Sequence, residues 1–170
     1  DQAGAFLLKD TDVRRGLIDK KHSPFCSRED YDKAKKDEII GDNITILQDI
    51  LNILHPYNLH FGYRVINEVS RFIINTKDMV EEFNINETLD VQILQKVLPK
   101  FHGSQAKLEE PLKRLLKFCW LDQTVSGDSF VEADIENVIQ NGHMRFPRSA
   151  RKLARMIRNL KVQGYTSFIE

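Results

Sequence analysis

The feature that most constrains the fold is an apolar pattern with the period of an α-helix, punctuated by proline and glycine. Ile46, Leu47, Ile50, Leu51 and Leu54 recur at three- and four-residue spacing and so share one helical face. Asp42 or Asn43 stands where a side-chain oxygen would satisfy the first free amides of that helix, and Pro56 stops it. A second helix is expected after Gly62, burying Val65, Ile66, Val69, Phe72 and Ile73. A third is expected from about Thr88, its cap, to Leu98, where Pro99 bars continuation. The fourth covers residues 104–118 with Leu108, Leu112, Leu115 and Leu116 inward. Pro111 lies within it and removes a hydrogen bond, so this helix either kinks there or starts there. The fifth, residues 147–162, has proline at its start and Gly164 past its end, the usual asymmetry of helix termini. The expectation is an all-α fold, or nearly so: a bundle of about five helices.

The remaining stretches are less regular. Residues 1–42 carry a short apolar run, Ala5 to Leu8, then charge-rich sequence broken by Ser23–Pro24, and read as an irregular connector. Residues 43–170 then form the domain, with a variable excursion at 121–144 that holds a short helix near 132–140. Residues 164–169 read as an extended tail. No internal repeat or low-complexity tract is present.

Composition narrows the class. A hydrophobic fraction of 41% and a charged fraction of 29% are those of a soluble globular protein. No apolar run approaches the roughly 20 residues that span a bilayer, and the first residues form no signal-peptide pattern. Cys26 and Cys119 lack a CxxC neighbour, which suits two reduced core thiols and a cytoplasmic location without membrane contact. The five histidines show no metal-ligand spacing, so no metal is expected, and no Gly-x-Ser-x-Gly elbow is present.

Net charge is zero but uneven: His143 to Glu170 holds seven Lys/Arg against one acid, leaving the rest of the chain at −6. Arg148, Arg151, Lys152, Arg155 and Arg158 form one basic stripe on the fifth helix, opposite the apolar stripe of Ala150, Leu153, Ile157 and Leu160. Two roles fit this stripe. It can bind phosphate or an acidic partner, or it can be a solvated face offsetting the acidic remainder; it lacks interleaved aromatics for base stacking.

Three segments in fixed order carry a resemblance. They are HFGYRVINEVSRFI from His60, LQKVLPKFHGS from Leu94 and FPRSARKLARMIRNLKVQGYTSF from Phe146. Together they resemble the C-terminal end of McrB-type AAA+ NTPases, the motor subunits of modification-dependent restriction systems. The resemblance spans residues 43–170 except 121–144. The chain carries no GxxxxGK[ST] phosphate loop, so what it resembles is the helical lid of such a motor without the nucleotide-binding core.

The resemblance implies a protein that forms a homo-oligomeric ring, hydrolyses GTP or ATP with Mg²⁺, and works with a nuclease subunit on DNA bearing modified cytosine. The lid itself would be non-catalytic. Arg64 would reach the nucleotide's terminal phosphates, with Asn67 and Glu68 as support. An ion pair between Arg64 and Glu68, one turn on, is the structural alternative. Lys96, Pro99, Lys100, His102 and Gly103 match a family hallmark. Its cations would touch DNA phosphate or a neighbouring subunit, or simply offset a helix dipole. Tyr165 and Phe168 would anchor a tail that packs back. A stand-alone helical module binding nucleic acid or protein through the basic stripe is the alternative to the lid.

Overall fold

The structure, a computed structural model, describes residue 29, residues 36–121 and residues 133–169. Six helices dominate these residues: α1 (Glu38–Leu54), α2 (Tyr63–Met79), α3 (Ile85–Gln92), α4 (Gln105–Phe118), α5 (Ala133–Gln140) and α6 (Pro147–Gln163). Two three-residue strands, β1 (His102–Ser104) and β2 (Tyr165–Ser167), form the one sheet among the described residues. The fold is therefore nearly all-α. None of the described helices is long and apolar enough to cross a membrane. The chain divides into two compact units, one of residues up to Gln48 with Phe61–Ile85, the other of Asp49–His60 with Asn86–Glu170.

In the first unit α1 starts earlier than expected. The Asp37 carboxylate accepts the Ile40 N–H at 3.2 Å and is the cap; Asp42 and Asn43 lie inside the helix. The reason is that the apolar stripe begins upstream, with buried Ile40 and Ile44 preceding Leu47 at spacings of four and three. The expected irregular connector therefore gives way to helix by Glu38, and its earlier part, including Cys26, lies outside the described residues. Lys77, in the last turn of α2, forms an ion pair with Asp37. The buried residues of α2 are Asn67, Val69, Ser70, Ile73 and Ile74, whereas Phe72 is 40% exposed. The inward face is thus rotated from the one the apolar residues alone suggest. Ser70 tolerates burial because its hydroxyl donates to the Ile66 carbonyl at 2.8 Å.

In the second unit the expected helix over 88–98 is three pieces. α3 ends at Gln92, widens into a π-turn at Ile93–Val97, and tightens into a 3₁₀ turn at Leu98–Lys100 with Pro99 in its first position. Phe101, which follows, is fully buried. The chain then forms β1, which pairs antiparallel with β2 in the register His102↔Ser167, Gly103↔Thr166, Ser104↔Tyr165. Gly103 sits at φ 150°, a conformation open to glycine but strained for a side chain.

α4 and α6 pack antiparallel and form the centre of this unit. At one end the Gln105 N–H donates to the Gly164 carbonyl at 2.9 Å; at the other, the Phe118 and Phe146 rings stack at 6.1 Å. Leu108, Leu112, Leu115 and Leu116 are buried on α4, and Ala150, Leu153, Met156, Ile157 and Leu160 on α6. Each large aliphatic side chain so buried contributes about 1.5–3 kcal/mol. Pro111 lies inside α4 and is buried, so the helix does not start there. α6 ends where Gly164 takes the left-handed conformation (φ 71°) and its N–H donates to the Leu160 carbonyl.

Candidate functional site

Arg64 lies in the first turn of α2, just past Gly62, whose extended backbone precedes the helix without a side-chain cap. Its Nε donates to Glu68 Oε1 at 2.9 Å, and its side chain is 68% exposed. Asn67 is buried and faces inward, so of the two expected supporting residues it is Glu68 that holds the guanidinium. An exposed pair of this kind contributes about 0–1 kcal/mol. The first turn of α2 also carries the positive end of the helix dipole, so the local field favours an anion.

The second group of cations is built on α6 and the two-stranded β1–β2 sheet. The start of α6 is set by a remote residue: Asp90, buried in α3, accepts the Arg148 N–H and the Ser149 N–H at 2.8 Å each. From there Arg148, Arg151, Arg155 and Arg158 all lie exposed along the outer face. Arg151 donates to Glu136 on α5 at 2.8 Å, and this hydrogen bond holds its guanidinium pKa above the ordinary value. Lys152 is half-buried, its Nζ 4.8 Å from the centre of the Phe168 ring, a cation–π contact. Among the described residues, no ion pair involves Arg148 or Arg155.

The structure brings the LPKFHGS segment to this helix. The Phe168 N–H donates to the Phe101 carbonyl at 3.1 Å, extending the β1–β2 ladder beyond its last strand pair. Lys100 and His102, both exposed, flank buried Phe101. Lys96 lies on the π-turn, which also touches α6. The expected anchors divide: Phe168 is half-buried, whereas Tyr165 is 45% exposed and the buried residue of β2 is Thr166. Strand alternation explains this. Gly103 and Thr166 face inward as a pair, and His102, Ser104, Tyr165 and Ser167 share the other face.

The outward placement of Tyr165 is not legible in the sequence alone. Its only signal is the alternation in Tyr165–Thr166–Ser167, too short to be read alone. Among the described residues no three His, Cys, Asp or Glu side chains cluster to hold a metal ion.

The family described as "Domain of unknown function (DUF8727)" matches residues 14–165, and the chain belongs to it. No curated protein and no solved structure matches the chain.

Proposed function

We propose that this member of the DUF8727 family is the helical lid of a ring-forming AAA+ motor of the McrB type, with Arg64 as its contact to the nucleotide's terminal phosphates. The observation that carries the reading is the placement of Arg64. It stands in the first turn of a 17-residue helix, beyond Gly62, exposed and paired with Glu68 one turn on. The three sequence segments of the resemblance support the same assignment.

In this reading Glu68 keeps the guanidinium extended while the cleft is open. A phosphate brought up by the nucleotide-binding core exchanges for Glu68 at little cost, because the exposed pair is weak and the forked donors match phosphate oxygens. The core supplies GTP or ATP with Mg²⁺. Loss of the terminal phosphate returns Arg64 to Glu68 and biases the lid toward opening, a hinge-type switch. The motor acts in the cytoplasm with a nuclease subunit on modified DNA.

The test is NTPase turnover of the motor that contains this chain and its core, with and without Arg64→Ala. Near-normal nucleotide affinity with collapsed turnover is the expected result. Unchanged turnover overturns the assignment and leaves Arg64 as a structural partner of Glu68. This chain by itself, which has no phosphate loop, is expected to show no turnover.

A further inference from the structure

We infer that copies of this chain associate head to tail, the acidic turn after α2 of one copy docking on the outer face of α6 of the next. Among the described residues, Glu81 and Glu82 are exposed and make no ion pair, and the same holds for Arg148 and Arg155. Arg151 and Lys152 are already engaged, by Glu136 and by the Phe168 ring. Each pair of unpaired charges has exposed apolar neighbours. Met79, the last residue of α2, is 83% exposed, and Val80 follows it at 47%. On α6, Arg148, Arg155 and Val162 recur every seven residues and so lie along one line, where Val162 is 77% exposed. One surface is acidic and apolar; the other is basic and apolar.

The two surfaces also match in length. Val80 is extended (φ −113°, ψ 127°), and the chain from Met79 to Glu82 spans at most about 10 Å. The helix from Val162 to Arg155 spans about 10.5 Å. With Met79 on Val162, the Glu81 and Glu82 carboxylates come level with Arg155, and Arg148 stands one further step along the same line. A second copy is the partner because the chain itself carries the complement. Its net charge is zero, split into +6 over His143 to Glu170 and −6 over the rest, a balance that lets copies approach without mutual repulsion. Each copy then uses its acidic turn on one neighbour and its α6 on another, a heterologous contact that closes into a ring or runs on as a filament. A nucleic acid would occupy Arg148 and Arg155 but would leave Met79, Val80, Glu81 and Glu82 without use.

The contact uses neither Arg64 nor a nucleotide, so its test is separate from that of the lid. Two short elements bury less than the about 1,200 Å² of a standard interface, so the association is weak. The complete chain is therefore followed by sedimentation velocity from about 10 µM to about 1 mM. At about 0.1 M salt the wild-type chain is expected to form dimers and larger species. Its apparent Kd should rise about tenfold or more at about 1 M, where the screening length falls from about 10 to about 3 Å. Glu81→Arg with Glu82→Arg, and separately Arg148→Glu with Arg155→Glu, should each give a monomer with wild-type circular dichroism. An equimolar mixture of the two variants should associate again, as should the chain carrying all four substitutions, since each reversed surface then meets its reversed complement. Glu81 and Glu82 lie outside the helices, so their reversal decides the matter where the α6 variant loses helical content. A wild-type chain that stays monomeric throughout overturns the proposal. So do association that survives the reversal of Glu81 and Glu82, and failure of both the mixture and the fourfold variant to associate.

Discussion

Asp90 and Ser149 lie 59 positions apart in sequence, yet the Asp90 carboxylate accepts the Ser149 N–H at 2.8 Å and its carbonyl accepts the Ser149 hydroxyl at 3.2 Å. With the Arg148 N–H on the other carboxylate oxygen, Asp90 caps α6 from outside, a task that Phe146, the residue before the helix, has no side chain to perform. Hydrogen bonds from amides to a carboxylate are among the strong ones. Asp90→Ala is therefore expected to cost about 2–3 kcal/mol, read as a lower urea midpoint with an unchanged slope. Asp90→Asn keeps one acceptor and should fall between the two. A wild-type midpoint for Asp90→Ala would mean that other groups cap α6.

Which parts of this architecture were legible in sequence follows from how local their determinants are. α6 was readable because Pro147, the buried stripe from Ala150 to Leu160 and Gly164 all lie within one helix and its flanks. α4 was readable from its leucines despite Pro111, since packing of that face outweighs one missing hydrogen bond. The start of α1 was misplaced because Asp37 and Asp42 are equally good caps, and only the burial of Ile40 and Ile44 chooses between them. Phe72 was misread because a polar pair, Asn67 and Ser70, takes the inward face of α2. The Asp90 cap and the β1–β2 pairing are invisible for a different reason. Each joins residues about sixty positions apart, and β1 and β2 are too short to show a period of their own. The candidate site inherits this split: the basic stripe could be read, but the Lys152–Phe168 contact that depends on the β1–β2 pairing could not.

Thr166 offers a test of the inner face of the β1–β2 sheet. It is fully buried, and its hydroxyl finds no hydrogen-bond partner among the described residues. Burying such a group without a partner is unfavourable, and a methyl of the same shape removes the penalty. Thr166→Val is expected to stabilise the chain by about 1 kcal/mol, measured by thermal or urea unfolding. A loss of stability would show that the hydroxyl is satisfied by ordered water.

Cys119 is fully buried at the end of α4, and burial pushes its thiol pKa well above the ordinary value, with Asp90 adding to the shift. Its folded pKa exceeds the unfolded one, so its contribution to stability is fully present at low pH and declines once pH rises past the unfolded thiol value of about 8.5. In a Cys26→Ser background, where Cys119 is the one remaining cysteine, native protein should react with a thiol reagent at pH 8 only as fast as it opens. Urea should restore full reactivity. Rapid labelling of the folded chain would show that the α4–α6 interface admits solvent at Cys119.

The Arg64–Glu68 pair can be separated from folding altogether. Because Arg64 is largely exposed, a double-mutant cycle with Arg64→Ala and Glu68→Ala should give a coupling of about 0.2–1 kcal/mol that shrinks in high salt. Neither single variant should shift the unfolding midpoint by more than about 1 kcal/mol equivalent. A pair this weak is what a clamp that yields its arginine to phosphate requires. It also means that a collapse of motor turnover in Arg64→Ala would report lost phosphate contact rather than a damaged lid. A coupling well above 1 kcal/mol would instead make the pair a fixed structural tie, since a phosphate would have to displace Glu68 against that energy on every cycle.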